Sequence, residues 1–330
     1  MIINTKDILK VYKTVGNLRQ YNNCINYLKL KRVIKNEINI KEVSKKLKIN
    51  YKTASHWIRN ERVPYGIQLV NYLKNSKLLP FYTNDKLARI IGFIHGDGYI
   101  FEGLTGFGFA SSDLEILKSI QIDIKELFNI KNEIKKFREI GEKVIINGKE
   151  SKATKPTYHL EYRIKAICHI LFLSGAPHGK KVYQSYSVPK WIKNGNLKIK
   201  KSFLHGLFDS ELSNSTISSF GSHKDNIGSA RMELGKCLEL EEGLVEYMEE
   251  IRKLLSNFKI DSIVKNRREY NVGKVSYTLN ISNKLKNIKR FLEKINFYYS
   301  KEKKEKGIKI LNLIEKKKHL RNNKHRNLGI

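Results

Sequence analysis

Two stretches of this 330-residue sequence each end in an acidic residue that follows an apolar run with helical spacing. Asp97 ends the run of residues 90–97, and Glu211 ends the run of residues 204–211. Small residues stand four apart in both runs: Gly92 with Gly96, and Gly206 with Ser210. Residues four apart share one face of a helix, and a face of small residues lets a second backbone come close. Because an interior Gly costs a helix about 0.5–1 kcal/mol relative to Ala, the pattern predicts that the two helices pack on each other.

Asp97 and Glu211 would meet at one point if these two helices packed side by side. Two carboxylates at the negative ends of two helix dipoles repel each other, and a divalent cation would relieve that repulsion. Mg²⁺ binds through one or two carboxylates plus the phosphate oxygens of a substrate. The sequence therefore predicts a Mg²⁺ site at Asp97 and Glu211, with Mn²⁺ as the alternative ion. For either copy alone, an ordinary helix C-cap is the competing explanation.

The two stretches resemble the paired motifs of the LAGLIDADG homing endonucleases, and the resemblance covers roughly residues 85–315. It implies that Asp97 and Glu211 take the place of the metal-binding acids of the family. His95 stands where the family has an earlier, non-catalytic acid, and Leu212 stands where it usually has Gly. The resemblance implies hydrolysis of one phosphodiester in each DNA strand, short 3′ overhangs, and homing of an intron or similar element.

A basic segment just upstream of the second motif also resembles archaeal members of this family. It reads Gly179-Lys180-Lys181, followed by Val-Pro-Lys-Trp-Ile at 188–192. The resemblance implies that Lys181 lies near the scissile phosphate, and Lys303 is its counterpart after the second motif. The alternative is that each is one more surface lysine among 64 Lys and Arg residues.

The order of predicted elements after each motif repeats, which indicates an α+β protein with two pseudo-symmetric αββαββα repeats. The repeats are predicted at residues 85–200 and 201–315, after a small all-α domain at 1–84 and before a disordered basic tail at 316–330. The first repeat should contain a long hairpin, with strands at 134–146 and 157–164. Strands near 215–220 and 229–233 should open the sheet of the second repeat. A duplicated chain does the work of a symmetric dimer, so a monomer is expected.

The N-terminal segment contains the spacing of a helix-turn-helix, in which the second helix enters the DNA major groove. Apolar residues predict one helix near 40–47 and a second at 51–60, with Asn50 as its N-cap. The DNA-facing residues of the second helix are predicted to be Tyr51, Lys52, Ser55, His56 and Arg59. A helical hairpin without a binding role would show the same spacing.

Strands with one polar, partly cationic face supply further candidate DNA contacts. Between 158 and 164 apolar and polar residues alternate, and similar strands are predicted near 262–281. A β-ribbon that reads DNA has such a face, and so has a sheet that faces solvent. The candidate contacts are His159, Arg163, Arg267, Arg268 and Lys274.

The composition points to a polyanionic partner inside the cell. The formal net charge is +32, and the pI is about 9.9, far beyond what solubility requires. No apolar run reaches the ~18 residues of a spanning helix, so no membrane is expected. The first residues lack a signal-peptide pattern, and Cys24, Cys168 and Cys237 form no disulfide or zinc pattern. A cytoplasmic, nucleoid-associated protein is therefore expected.

These observations predict a metal-dependent endonuclease that cuts double-stranded DNA at specific sites. Two alternatives stay open. One is a catalytically inactive transcription regulator built on the same fold, which the basic N-terminal segment and Leu212 favour. The other is an RNA-splicing maturase, whose partner would be structured RNA.

Overall fold

The structure is a computed structural model that describes residues 1–34, 39–146, 149–218, 225–266 and 273–327. Helices and antiparallel strands occupy separate stretches, so the α+β class predicted from the sequence is confirmed. The helices are α1 Thr5–Thr14, α2 Leu18–Val33, α3 Ile40–Lys46, α4 Tyr51–Ile58, α5 Tyr65–Asn75, α6 Asp85–His95, α7 Leu114–Phe128, α8 Lys165–Leu173, α9 Lys190–Lys193, α10 Leu197–Glu211, α11 Glu241–Ser256, α12 Leu285–Lys294 and α13 Lys301–Asn327. The strands are β1 Ile2–Ile3, β2 Phe81–Tyr82, β3 Gly98–Ile100, β4 Phe107–Ser111, β5 Ile134–Arg138, β6 Lys143–Ile146, β7 Lys149–Lys152, β8 Thr157–Tyr162, β9 Leu212–Ser213, β10 Arg231–Cys237, β11 Ser262–Asn266 and β12 Lys274–Ile281.

Contacts within the chain divide it into two compact units. The first contains Met1–Thr83, Gly103–Thr105 and Ile164–Ser174, and the second contains Asn84–Glu102, Gly106–Arg163 and Gly175–Ile330. Helix α8 thus packs with the N-terminal helices, although it lies within the predicted first repeat. The sequence predicts four parts that fold separately, at 1–84, 85–200, 201–315 and 316–330. Contacts in the folded chain do not test separate folding, so this division stays a prediction.

The first unit contains the two helices predicted near residue 50. They are α3 and α4, and the Asn50 side chain accepts a hydrogen bond from the backbone N–H of Lys52 at 2.9 Å. Apolar spacing predicts Ala54, Trp57 and Ile58 as the buried face of α4; Ala54 and Trp57 are buried, whereas Ile58 is half-buried. A DNA-binding role for this pair stays a prediction.

The second unit contains two four-stranded antiparallel sheets of the same topology. The first sheet has the strand order β3-β4-β8-β5, and the second has the order β9-β10-β12-β11. Corresponding central pairs carry buried apolar residues, with Phe109 opposite Leu160 and Met232 opposite Leu279. Each sheet follows one of the two motif helices, so the predicted αββαββα repeats are confirmed.

Several predicted strand bounds were wrong. Residues 134–146 do not form one strand, because Gly141, at φ +86°, turns the chain between β5 and β6. Strands β6 and β7 then form a separate two-stranded sheet, and the predicted turn at 147–148 lies outside the described residues. In the second repeat the strand begins at once after the motif helix, as β9. Residues 219–220 of the strand predicted near 215–220 lie outside the described residues, and Ile217 forms an isolated bridge to Ile227.

The basic tail was also predicted wrongly as a disordered arm. Helix α13 extends over Lys301–Asn327. Residues 308–327 contain no Gly or Pro, so nothing in that stretch stops a helix. Within the described residues no helix is long and apolar enough to span a membrane.

Candidate active site at the ends of two packed helices

Helices α6 and α10 touch backbone to backbone along their small-residue faces. A Cβ atom placed on Gly92 would lie 2.1 Å from the carbonyl oxygen of Phe203. On the other helix, a Cβ on Gly206 would lie 1.9 Å from the carbonyl oxygen of Arg89. Neither position has room for a side chain, so the close helix contact predicted from the glycine spacing is confirmed.

This contact makes a stability prediction. Replacing Gly206 with Ala should lower the free energy of unfolding by about 1–3 kcal/mol, because the new methyl group forces the two helices apart. The control is Gly235→Ala, in β10, where a Cβ would meet its nearest atom, the Val275 carbonyl oxygen, at 3.5 Å. Denaturant unfolding of both variants measures the difference. Equal losses in the two variants would contradict the proposed crowding.

The C-terminal ends of the two helices bring the predicted acids together. A Cβ on Gly96 would lie 2.0 Å from Ser210 Oγ and 2.9 Å from Glu211 Cγ. The Glu211 side chain therefore lies against the residue that precedes Asp97. The second motif lacks Gly at position 212, yet the chain leaves α10 in an extended conformation, with Leu212 at φ −83°. Leu212 therefore needs no left-handed backbone, and the missing glycine does not disturb the helix end.

Burial and the neighbouring acid make Glu211 costly to ionise. Burial and, second, Asp97 raise the pKa of Glu211 to about 7, against the opposing effect of Lys181 and Lys303. The pKa of Asp97 is also raised by desolvation between the helix ends, against the pull of the same two lysines. Asp97 is nevertheless exposed to solvent. The site thus combines one accessible acid with a second acid that ionises near neutral pH.

Lys181 and Lys303 cap the two motif helices in the same way. The Lys181 ammonium donates to the carbonyl oxygens of Ile94 at 3.1 Å and Gly98 at 2.9 Å, and also to that of Gly96. Lys303 donates to three carbonyl oxygens of the other helix end, those of Phe208 at 3.1 Å, Asp209 at 2.8 Å and Leu212 at 2.9 Å. An ammonium has three N–H groups, so each lysine donates all of its hydrogen bonds to carbonyl oxygens at the negative end of a helix.

Burial lowers the pKa of both lysines, and the acids of the site hold it up. For Lys181 the opposing acids are Glu211 and Asp97. For Lys303 they are Asp209, Asp97 and Glu211. The structure therefore brings together all four residues predicted to be catalytic, and their catalytic role stays a prediction. A lysine could bind a phosphate only by giving up a carbonyl oxygen.

Two positions before each acid, at His95 and Asp209, a side chain hydrogen-bonds its motif helix to the segment just before Lys181 or Lys303. His95 Nε2 donates to the Gly175 carbonyl oxygen at 3.0 Å, and its Nδ1 accepts from the Tyr247 hydroxyl at 2.9 Å. Asp209 instead accepts from the backbone N–H groups of 298, 299 and 300 at 2.7–3.1 Å. Burial lowers the pKa of His95 to about 3, so this imidazole stays neutral and positions the backbone.

Sequence reasoning missed a buried ion pair between helices α6 and α7. Arg89 donates to both carboxylate oxygens of Asp123, from Nε at 2.7 Å and from Nη2 at 2.8 Å. The Tyr299 hydroxyl donates to the same carboxylate at 2.6 Å. The only available signal was an arginine within an apolar helix, because positions 89, 123 and 299 share no local pattern.

Sequence reasoning also missed Lys236, on strand β10. Its side chain is buried, its Nζ donates to the Lys181 carbonyl oxygen, and it lies 3.7 Å from the centroid of the Tyr186 ring. Burial and the Lys181 ammonium lower the pKa of Lys236 to about 7. A strand of the second repeat thus holds the lysine segment of the first.

We expect Lys236→Met to slow DNA cutting about tenfold and to leave DNA affinity unchanged, because a hydrogen bond of this kind contributes roughly 1.5 kcal/mol. Methionine keeps the contact with Tyr186 and loses the hydrogen bond that fixes Lys181. Single-turnover cutting rates and dissociation constants, measured separately, test this expectation. A change in affinity alone would show that Lys236 binds DNA instead.

The predicted DNA contacts are distributed over both units. In α4, Tyr51 and Lys52 are exposed, whereas Ser55 and His56 are half-buried, and Arg59 is exposed just after the helix. His56 and Arg59 both contact Glu61, at 2.7 and 3.2 Å, so both side chains already have an acidic partner.

In the second unit the candidates lie on the two sheets. His159 is half-buried and Arg163 exposed beside the first sheet, and Arg163 pairs with Glu161 at 3.2 Å. Lys274 is exposed at the start of β12. Arg267 and Arg268 lie outside the described residues.

Most of the chain is similar in sequence to segments of larger known proteins. No family model matches the sequence. The chain is 32% identical over 255 residues to the DNA-directed RNA polymerase subunit Rpo1N of Methanocaldococcus jannaschii, covering 74% of this chain and 18% of that protein. It is 33% identical over 253 residues to the tRNA-splicing ligase RtcB of Methanopyrus kandleri, covering 73% and 24%. It is 27% identical over 307 residues to the replication factor C small subunit of M. jannaschii, covering 88% and 16%. The chain thus spans a quarter or less of the length of these relatives.

Two solved structures show a distant likeness. I-DmoI in complex with DNA and Ca aligns with a TM-score of 0.39 and 16% identity, covering 66% of this chain and 95% of that one. Full-length DUF199/WhiA from Thermatoga maritima aligns with a TM-score of 0.39 and 17% identity, covering 76% and 69%.

Proposed function

We propose that this protein is a metal-dependent endonuclease that cuts both strands of double-stranded DNA at a specific site. The observation that carries the proposal is the pair of acids, Asp97 and Glu211, at the abutting ends of two helices that pack backbone to backbone. Each acid has a lysine at its own helix end. One duplicated chain thus presents two equivalent sets of groups to the two strands of a duplex, as a monomer.

The acids present fit Mg²⁺, with Mn²⁺ as the alternative. Among the described residues, no three His, Cys, Asp or Glu side chains form a group that could hold a metal, which disfavours a closed site of the kind Zn²⁺ takes. Mg²⁺ needs only one or two carboxylates, because substrate phosphates and water complete its shell. Burial and, second, Asp97 raise the pKa of Glu211, so its negative charge is costly in the free protein, and a cation bound to the carboxylate would relieve part of that cost. When bound, the ion would lower the pKa of a water molecule and stabilise charge on the leaving oxygen.

The protein's own groups would hold and position the reacting parts. Asp97 and Glu211 bind the cation, and either can accept a proton from an attacking water molecule. Lys181 and Lys303 add positive charge beside the phosphates. To bind a phosphate, each lysine gives up a hydrogen bond to one of the carbonyl oxygens at its helix end. Neutral His95 is buried and hydrogen-bonded at both nitrogens, so it takes no part in acid–base chemistry.

Double-stranded DNA is the partner that the charge and the sheets favour. A net charge of +32 suits a phosphate backbone, and Arg163, beside the first sheet, and Lys274, on the second, are exposed cations. In the first unit, the exposed residues of α4 would extend the recognised site. We propose that the protein acts inside the cell, associated with the nucleoid.

The relatives support a separable function. Proteins named as an RNA polymerase subunit, a tRNA-splicing ligase and a replication factor subunit share the matched segment, which makes up 16–24% of each. The three names denote different activities, whereas each protein contains a segment similar to this chain. A module that moves between host genes would occur in this way, and site-specific cutting is how it would promote its own insertion.

Cutting of a large pool of double-stranded DNA tests the proposal. We expect discrete double-strand ends in Mg²⁺ and none in Ca²⁺, with the new ends identified by sequencing. Protection of a site without new ends would indicate a DNA-binding regulator instead. Binding of structured RNA in preference to DNA would indicate a maturase.

A further inference from the structure

The second helix of each repeat has a largely buried carboxylate at the same position. Asp123 is the tenth residue of α7, and Glu250 is the tenth residue of α11. The residue that follows each acid, Ile124 or Ile251, is fully buried, so the two helices correspond. Asp123 is 4% exposed, and the Glu250 side chain is 18% exposed. Because a carboxylate loses its hydration on burial, each needs hydrogen-bond partners, and those partners indicate what each helix holds.

Asp123, in the first repeat, holds the segment that leads to the lysine of the second repeat. We call residues 298–303 the second lysine segment. The Tyr299 hydroxyl donates to Asp123 Oδ2 at 2.6 Å, and Arg89, in α6, donates two hydrogen bonds to the same carboxylate. The Arg89 guanidinium also lies 3.7 Å from the centroid of the Tyr298 ring. Two helices of the first repeat thus hold two successive residues of this segment.

Glu250, in the second repeat, holds the segment around the lysine of the first repeat. We call residues 175–193 the first lysine segment. Glu250 Oε2 accepts a hydrogen bond from the backbone N–H of Val188 at 2.7 Å, and Glu250 Oε1 pairs with the ammonium of Lys193. One carboxylate therefore joins two points of this segment to α11.

Tyr247, three residues before Glu250, holds the start and the middle of the same segment. Its hydroxyl donates to His95 Nδ1 at 2.9 Å, and His95 Nε2 donates to the Gly175 carbonyl oxygen at 3.0 Å. The Tyr247 ring also meets the Tyr186 ring edge to face, with centroids 5.1 Å apart. Helix α11 thus supports the first lysine segment both before and after its lysine.

These contacts cross between the repeats, because each lysine lies in one repeat and the helix that holds its segment lies in the other. Fully satisfied hydrogen-bond networks fix the position of their members, whereas buried charge pairs add little stability compared with packed apolar residues. We propose that α7 and α11 each position the active-site lysine of the opposite repeat, with Asp123 and Tyr299 acting on Lys303, and Tyr247 and Glu250 acting on Lys181. This inference rests on the proposed function for its effect on cutting, but not for the placement of the lysines.

Cutting of the two strands tests the crossed arrangement, because Lys181 and Lys303 cap different motif helices. We expect Tyr299→Phe to slow cutting of one strand about tenfold, since it loses one hydrogen bond while Arg89 still pairs with Asp123. Glu250→Leu should slow the other strand by a similar factor. Single-turnover cutting in Mg²⁺, with the two strands labelled differently, measures both rates, and nicked DNA should accumulate with each variant.

Three further variants separate positioning from a general loss of structure. Glu250→Gln should restore most of the rate, because its amide oxygen still accepts a hydrogen bond from Val188. Tyr162→Phe removes a buried hydroxyl that has no hydrogen-bond partner among the described residues, and Glu246→Leu removes an exposed carboxylate from α11. Neither of these two controls should change the cutting rate of either strand.

Lysine labelling measures the same arrangement without DNA or metal. The full chain is treated briefly with acetic anhydride, and mass spectrometry of its peptides gives the extent of acetylation at each lysine. We expect Glu250→Leu to raise acetylation of Lys181 several-fold and to leave Lys303 unchanged. Tyr299→Phe should do the reverse, because each variant frees only the segment that it no longer holds.

Two results would overturn the inference. One is equal slowing of both strands, or of the same strand, by Tyr299→Phe and Glu250→Leu. The other is acetylation of Lys181 and Lys303 that changes equally, or not at all, in both variants; either result would mean that these contacts only stabilise the fold. A wild-type protein that leaves duplex DNA uncut but shows the selective labelling would reject the proposed function and retain the crossed placement of the lysines.

Discussion

Replacing Asp97 with Asn is expected to abolish cutting of both DNA strands and to leave DNA affinity intact. The amide has the same size as the carboxylate but no charge to hold a divalent cation. Since the Glu211 side chain lies against Gly96, next to Asp97, one lost charge should affect the groups proposed to act on both strands. Metal ions supply several kcal/mol of transition-state stabilisation, so the loss should reach about a thousandfold.

Single-turnover cutting in Mg²⁺, with the two strands labelled differently, measures this effect, and binding in Ca²⁺ measures the affinity. Asp85→Asn is the matched control, because Asp85 lies in the first turn of the same helix and pairs with Lys198 at 3.2 Å. Cutting by Asp97→Asn at the wild-type rate would remove Asp97 from the site. Loss on one strand only would mean that the two acids act separately.

The second large effect is a rise of activity with pH up to about 7. Burial and the neighbouring Asp97 raise the pKa of Glu211 to about 7, so below that pH a proton competes with the metal ion for the carboxylate. We expect the apparent Mg²⁺ affinity to increase about tenfold per pH unit below 7 and to level off above it. The Mg²⁺ dependence of single-turnover cutting at several pH values measures this. In Glu211→Gln, cutting should be slow at every pH.

The same shift affects the stability of the metal-free protein, with a definite sign. The folded-state pKa of Glu211 is above its ordinary value of 4.5, so between about 4.5 and 7 the folded state holds more protons than the unfolded state. The contribution of Glu211 to the free energy of unfolding then falls as the pH rises through this window, whereas buried His95, His169 and His205, with pKa values lowered to about 3–4, contribute with the opposite sign. The difference in unfolding free energy between the chelator-treated wild type and Glu211→Gln, measured at several pH values, isolates the Glu211 contribution and tests its sign. A Glu211→Gln variant with an identical pH dependence would disprove it.

The motif helices could be predicted from the sequence because their signals are local. Periodic apolar residues define α6 and α10, and the spacing of Gly92, Gly96 and Gly206 specifies which faces meet. Each acid follows its helix directly, so placing the helices also places Asp97 and Glu211. The repeated order of helices and strands identified two equivalent halves by the same local patterns.

The arrangement around those acids depends on residues that are far apart in the chain. Lys181 reaches carbonyl oxygens more than eighty positions away, and Lys303 those more than ninety positions away. Only the resemblance of their segments singled these lysines out, because residue type alone does not separate them from the other basic residues. Lys236 and the Arg89–Asp123 pair went unnoticed for the same reason.

The sequence by itself determined the two helices, their contact face, the acids at their ends and the duplicated α+β order. Local periodicity and residue size are sufficient for those features. The tertiary structure alone decided that each lysine caps a helix end. It also decided that His95 and Asp209 both hold their helix to the segment before a lysine, His95 by donating and Asp209 by accepting hydrogen bonds. The raised pKa of Glu211, about 7, is likewise a product of the fold. Those features arise from burial and from long-range contacts, because desolvation and Coulomb interactions depend on which groups the fold brings together.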